Sequence, residues 1–350
     1  MSAMLAARLV SPGAPLRIEE VAVPEPGPGE ALVRVHACGL CGTDLHLAVD
    51  GDLPVERTPI TLGHEAAGVV VAVGPGGDAG EEGRRVALFP AASCGRCRFC
   101  HAGREALCES AKVYGMARDG GLAEYVAVPA RSLLPLPDGV PFDVGAIVTD
   151  GVATPFHALR SRGRLRAGES VGIFGCGGLG THAIALARLM GAAPIVAVDV
   201  DSRARERALA LGADAAIDPG EGDLARAVRA TAGGGLDLAL ELVGRPDTVE
   251  GAVRCLGKGG RAVVVGVGPE RASLPPLVAF VGREQAVLGS FGADRADSAD
   301  LYALIAAGRL DLSGSISARY PLAEADAALQ HLARDRGRVV RIVVETGARP

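Results

Sequence analysis

Cys94, Cys97, Cys100 and Cys108 lie in the stretch CGRCRFCHAGREALC, a C-x2-C-x2-C-x7-C spacing. Two-residue gaps let successive thiolates turn back onto one point, and a fourth can close a tetrahedron around Zn²⁺. Disulfides between such near neighbours would be strained. An iron–sulfur cluster is the rival, because thiolates hold those too. A second constellation upstream favours zinc. Cys41 lies in GLCGTDLH, His64 and Glu65 in GHE, and Asp150 in VTDG. A thiolate, an imidazole and a carboxylate are three ligands of the kind a catalytic zinc takes while keeping a fourth position open. Each residue taken alone could be structural. Cys38 and Cys41 also form a C-x2-C of the redox type, but such a motif belongs beside a βαβ unit, and this stretch reads as strand and loop.

A third motif is Gly175-Cys176-Gly177-Gly178-Leu179-Gly180, placed after an apolar run and before a helical pattern. Gly175 permits the tight turn, Gly177 or Gly178 lets the backbone approach a pyrophosphate, and Gly180 allows close helix–sheet packing. The helix N-terminus then offers unpaired N–H groups to the phosphates. Asp199 ends the next strand, where a carboxylate accepts from the adenosine ribose. Its charge would repel a 2′-phosphate, so NAD is expected over NADP. The plainer reading of Asp199 is a turn cap, and Cys176 reads as a small residue that fits.

These residues need two kinds of scaffold. Ala31–His36, Gly68–Val73, Arg85–Leu88 and Glu124–Val128 read as strands in a Pro- and Gly-rich first half, so the cysteines fall on loops of a mostly β domain. Past Asp150 short apolar runs alternate with helical stretches. Ser170–Phe174, Ile195–Val198, Ala215–Ile217, Leu236–Leu240, Arg261–Val265 and Ala286–Leu288 read as strands. Thr181–Met190, Arg203–Leu211, Leu224–Ala232 and Thr248–Cys255 read as helices. That alternation predicts a parallel, doubly wound sheet. Helices at Ser298–Ala307 and Glu324–Ala333 and a strand at Val339–Glu345 follow. The expected division is a catalytic domain over 1–149 and 290–350, with a cysteine lobe near 94–108, and a dinucleotide-binding domain over 150–289.

Composition narrows the partners. The chain has 350 residues, enough for two cores, with a net charge of −5. Its scattered arginines and two lysines, Lys112 and Lys258, form no basic stripe, so no nucleic-acid partner is expected. No run is long and apolar enough for a membrane span, and the start does not read as a signal peptide. A cytoplasmic location is expected, with the eight cysteines serving metal or catalysis rather than disulfides. His36, His101, His157, His182 and His331 read as packing or surface residues, Cys255 as a buried small side chain, and Arg203–Arg207 as a solvated helix face.

GLCGTDLH, GHE, the cysteine quartet, TDGVATPFHAL and GCGGLG come in the order and at roughly the separations of the zinc-dependent medium-chain alcohol dehydrogenases, and the chain resembles that family over essentially its whole length. The resemblance implies a Rossmann-type sheet plus a GroES-like catalytic domain, NAD, and two Zn²⁺ per chain, one catalytic and one structural. It implies that Cys41, His64 and Asp150 bind catalytic zinc, with Glu65 in or beside the ligand set, and that the cysteine quartet takes the structural ion. Many members have Cys where this chain has Asp150, a variant that resembles the bacterial secondary-alcohol dehydrogenases. Thr43 resembles the hydroxyl at the substrate oxygen, and His46 the outer member of a proton relay. Thr154, Leu179, Val265 and Val267 resemble nicotinamide contacts, Arg245 a residue over the adenine, and Arg338 one near the pyrophosphate. Gly42 stands where several relatives have Arg or His. The implied reaction is reversible oxidation of a small alcohol, secondary by this likeness, by a homodimer or homotetramer. Rival readings are a polyol or sugar dehydrogenase on the same scaffold and a non-catalytic zinc protein; the latter leaves the glycine turn and Cys41 with His64 unexplained.

Overall fold

The computed structural model describes residues 3–347. The chain forms two compact units, Met1–Ala153 with Ala293–Pro350, and Thr154–Gly292. Asp150 thus falls inside the first unit rather than opening the second.

The first unit is built on a seven-stranded sheet around the strand Glu30–Leu40. One edge of that strand pairs antiparallel with Glu65–Val73. Its beginning also pairs with Tyr125–Pro129, and its end with the terminal strand Arg341–Glu345. Alternating Ala31, Val33 and Val35 are fully buried, and Ile342 and Val344 join them in one core. β-Branched side chains suit this pleated, half-buried surface. The strand therefore brings sequence-distant segments into register, with Gly39 opposite Glu65 and Leu40 opposite Ile342. Arg85–Leu88, Leu133–Pro135 and Ile316–Pro321 complete this sheet, and a hairpin of Ala3–Leu9 and Arg17–Ala22 forms a smaller one with Ile60–Thr61.

The second unit carries six parallel strands. Their spatial order is Ala215–Ile217, Ile195–Val198, Val171–Phe174, Leu236–Glu241, Leu256–Val264 and Ala286–Gly289. Chain order reverses on either side of Val171–Phe174. A doubly wound sheet opens its ligand crevice at such a reversal, beyond the carboxyl ends of the strands. The helix Gly178–Leu189 starts there, immediately after the glycine turn. Among the described residues no helix is long and apolar enough to cross a membrane.

Candidate metal centres and dinucleotide site

The quartet converges as its spacing predicts. Ligand atoms of Cys94, Cys97, Cys100 and Cys108 lie within 4.8 Å of one another. The loop aims backbone donors at the sulfurs: Cys94 N–H reaches Cys108 Sγ at 3.2 Å, and Gly95 N–H reaches Cys100 Sγ at 3.3 Å. The N–H of Cys100 pulls the Cys97 thiol down to about 6, whereas burial pushes Cys100 up to about 11. All eight cysteines are free of disulfides. Four sulfurs, N–H donors that favour thiolate and a four-way convergence suit a closed tetrahedral zinc site.

The second constellation also converges, with Cys41, His64, Glu65 and Asp150 offering ligand atoms within 4.8 Å of one another. Four local devices bring them there. Cys41 caps a short helix at the end of the central strand, and its Sγ accepts from Thr43 N–H at 3.3 Å. His64 follows Gly63, whose φ of +95° suits a residue without a side chain. A Cβ at Gly63 would lie 2.5 Å from Cys38 Sγ, so Cys38 packs beneath this turn. That contact answers the redox-pair reading of Cys38. Glu65 faces Gly39 across the sheet, and a Cβ at Gly39 would stand 2.2 Å from its Oε2. Asp150 sits in a widened helical turn, Val148–Val152. Such turns occur often at functional sites.

The electrostatics call for a cation. His64 is 5% exposed, and its Nε2 stands 3.7 Å from Asp150 Oδ2. Its Nδ1 faces the fully buried Asp44 at 3.9 Å, while Asp44 Oδ2 accepts from Cys41 N–H. Burial pushes the Glu65 carboxyl up to about 8, with Arg341 opposing, and raises the Cys41 thiol. Among the described residues neither Glu65 oxygen nor His64 Nδ1 has a hydrogen-bond partner. A divalent ion among these groups reverses the cost of their charge. The donor set therefore fits zinc: sulfur, nitrogen and carboxylate oxygen in a buried cluster.

Two residues of this centre lay outside the sequence expectations. Asp44 faces the far nitrogen of His64, the place from which a carboxylate orients a ligating imidazole. Arg341 is 3% exposed, with Nη2 at 3.2 Å from Glu65 and 4.0 Å from Asp150. Gly151 makes room for it, since a Cβ there would lie 2.4 Å from Arg341 Nε. An arginine inside an apolar strand pattern was the available signal, because burying that charge requires a partner.

In the second unit Gly175 has a φ of +92°, and a Cβ at Gly180 would lie 1.9 Å from the Gly175 carbonyl oxygen. Gly177 caps the helix and Gly178 begins it. Asp199 both caps its turn, accepting from Asp201 N–H at 2.8 Å, and ties down the glycine loop, accepting from Cys176 N–H at 2.6 Å. Cys176 is buried beneath the loop, which pushes its thiol up to about 12. Asp199 and Arg245 line one cavity of about 870 Å³. Arg245 is exposed there and pairs with Asp247. The Arg203–Arg207 stretch is more than a solvated face. Arg205 donates to the Asp199 carbonyl and Arg207 to the Cys176 carbonyl, which braces the loop from behind.

A family model described as the alcohol dehydrogenase GroES-like domain matches residues 27–138, and one described as the zinc-binding dehydrogenase matches residues 178–307. An alcohol dehydrogenase of Geobacillus stearothermophilus is 36% identical over 298 residues, covering 85% of this chain and 87% of its own. The chain belongs to the zinc-dependent medium-chain alcohol dehydrogenase family. An L-threonine 3-dehydrogenase of Pyrococcus horikoshii is 34% identical over 281 residues, 77% of this chain and 78% of that one. The solved alcohol dehydrogenase TADH from Thermus sp. ATN1 superposes with a TM-score of 0.90 at 32% identity, covering 98% of this chain and 99% of that chain. The chain is thus an NAD-dependent zinc alcohol dehydrogenase that oxidises an alcohol reversibly by hydride transfer. Its cofactors are NAD and two zinc ions, structural and catalytic.

The remaining candidates of this dehydrogenase take varied positions. Thr43 is half-buried beside Cys41, and His46 is partly exposed one turn later. Thr154 is buried, Leu179 and Val265 are half-buried, and Val267 is exposed. Loops around Val243 and Val267 pack tightly, since a Cβ at Gly244 would lie 2.4 Å from the Val267 carbonyl oxygen. Glu241, another buried charge unmarked by any motif, accepts from Val243 N–H, Gly244 N–H and the Thr248 hydroxyl. Arg338 is half exposed, 4.0 Å from Asp335; the buried arginine of this segment is Arg341.

Proposed function

We propose that this dehydrogenase acts on secondary alcohols and the corresponding ketones, with Cys41, His64 and Asp150 holding the catalytic zinc and Glu65 beside it. The observation that carries this reading is the convergence of those four residues within 4.8 Å in a buried, electron-rich cluster. When bound, zinc supplies Lewis acidity toward an alcohol oxygen and NAD supplies the hydride acceptor. The protein's own residues do the rest. Asp44 and Arg341 hold the charges of the ligand set in place. The Thr43 hydroxyl can accept a proton and donate one, which suits it to the substrate oxygen. His46, reaching solvent, carries the proton outward. Asp199 selects NAD by its charge, Arg245 flanks the adenine, and Arg338 serves the pyrophosphate. Thr154, Leu179, Val265 and Val267 contact the nicotinamide, and Gly175 to Gly180 cradle the phosphates.

The carboxylate ligand Asp150 supports the secondary-alcohol assignment. So does the likeness to a threonine 3-dehydrogenase, because carbon 3 of threonine bears a secondary hydroxyl. Metal analysis joined to NADH absorbance across secondary alcohols, primary alcohols and polyols tests it. Two zinc ions per chain and fastest turnover on secondary alcohols are expected; preference for polyols overturns it.

The enzyme works in the cytoplasm as a homodimer or homotetramer. Eight free cysteines suit a reducing compartment. Ala286–Gly289 is an edge strand, and Leu277, Val278, Val281 and Phe291 nearby in sequence are more than 60% exposed. A second copy that pairs this edge would cover both. Light scattering of Val278→Glu reads the outcome: a smaller species is expected, and unchanged mass removes this interface.

A further inference from the structure

His46 does not stand alone on its helix. After the widened turn His46–Asp50, Gly51 takes a left-handed conformation with φ of +68°. Its N–H and that of Asp52 both return to the His46 carbonyl. The chain therefore doubles back, and Asp52 meets His46 Nδ1 with both oxygens, at 3.0 and 3.2 Å. Asp50 Oδ2 stands 3.4 Å from the same nitrogen. The two carboxylates are not equivalent. Asp50 is claimed by Arg336 at 2.6 Å, whereas Asp52 gives both oxygens to the imidazole.

An ionised carboxylate only accepts hydrogen bonds. Two of them around Nδ1 make that nitrogen the protonated one and leave the lone pair on Nε2. We propose that Asp52 is a positioning residue for the reaction: it fixes the His46 tautomer with the proton on Nδ1, so that Nε2 is the base that receives the alcohol's proton. This rests on the reading of His46 as the outer member of the relay. Nε2 gains the proton and the ring becomes imidazolium, its Nδ1–H still on Asp52. Loss of the Nε2 proton to solvent water restores the starting form. Arg336 keeps Asp50 engaged, so Asp52 sets the ring orientation. The spacing His46-x5-Asp52 with Gly51 at the fold-back is the sequence mark of the device.

Asp52→Asn tests it, because the amide can donate to a bare Nδ1 and so permits the other tautomer. Asp52 is about half exposed, so the substitution does not threaten the core. In the intact zinc enzyme, ¹⁵N shifts of the His46 ring should show Nδ1 protonated, and Asp52→Asn should move the proton toward Nε2. The single-turnover rate of NADH formation should fall about tenfold in Asp52→Asn. NADH affinity and alcohol KM should stay within about twofold, and Asp52→Glu should recover most of the rate. In a His46→Gln background Asp52→Asn should cost nothing further, since it acts through the imidazole. The proposal falls if wild-type His46 carries its proton on Nε2. It falls equally if His46→Gln is slow while Asp52→Asn is as fast as wild type, or if Asp52→Asn slows the His46→Gln enzyme as much as the parent. Full speed in His46→Gln removes the relay reading itself, which the ring shifts distinguish from a failure of Asp52 alone.

Discussion

The two metal centres of the first unit are built in opposite ways. The cysteine lobe takes all its ligands from one short loop, and backbone N–H groups supply its second layer of contacts. The cluster proposed to hold the catalytic ion draws Cys41, His64 with Glu65, and Asp150 from three separate segments, and the charged side chains of Asp44 and Arg341 stand behind it. A closed set of equal thiolates suits a staple, because nothing is left over for a substrate. A mixed set with a buried arginine keeps charge in reserve at the reacting position. Local ligands make stability, whereas assembled ligands make chemistry.

Four substitutions would break or sharpen that contrast. Cys41→Ser should lower NADH formation about a thousandfold or more, since the Lewis acid is worth several kcal/mol. Zinc should fall from two to one per chain, with NADH fluorescence on binding retained. Full turnover would erase the distinction between the sites. Arg341→Met should destabilise the first unit by about 3–5 kcal/mol in urea unfolding, because Glu65 is left buried without its counter-charge. Unchanged stability would mean that the metal alone balances the cluster. Cys100→Ser should also leave one zinc, but lower the Tm by about 5–10 °C while turnover per folded molecule stays within about twofold. Loss of turnover at full stability would show that the lobe serves the chemistry. Asp199→Asn touches neither metal. It should raise the KM for NAD about tenfold and improve the relative use of NADP, read in steady-state assays.

Sequence patterns exposed those parts of the molecule whose cause is local. The strands Ile195–Val198 and Ala215–Ile217 and the helix Leu224–Ala232 fall where apolar runs and turn residues place them. The cysteine lobe was legible for the same reason: its geometry is contained in its spacing. The hairpin strand Arg17–Ala22 was not, because no residue of RIEEVA is fully buried and the pattern carries little hydrophobic signal. Ile316–Pro321 was missed on the same ground. The strand Leu256–Val264 starts well before the expected Arg261, since its GKGG beginning reads as a loop. At the second cluster Cys41, His64 and Asp150 were legible as a thiolate, an imidazole and a carboxylate, and the family likeness implied that they share one ion. Asp44 and Arg341 became evident only in the fold: an arginine in an apolar strand announces a buried partner without naming it, and nothing beside Asp44 says which imidazole it will face. Gly39, Gly63 and Gly151 carry the missing information as absent side chains, and a sequence shows a glycine without showing what fills its place.

The terminal strand has a consequence for the life history of the molecule. During synthesis the loop bearing Cys94 to Cys108 emerges early with its complete ligand set and can capture an ion while the ribosome is still elongating. Glu65 must wait for Arg341, separated from it by the whole insertion that folds as Thr154–Gly292. Non-local pairings of this kind form late. The nascent enzyme is therefore stapled before it is armed, since the counter-charge of its second cluster arrives only after the whole of Thr154–Gly292 has been made.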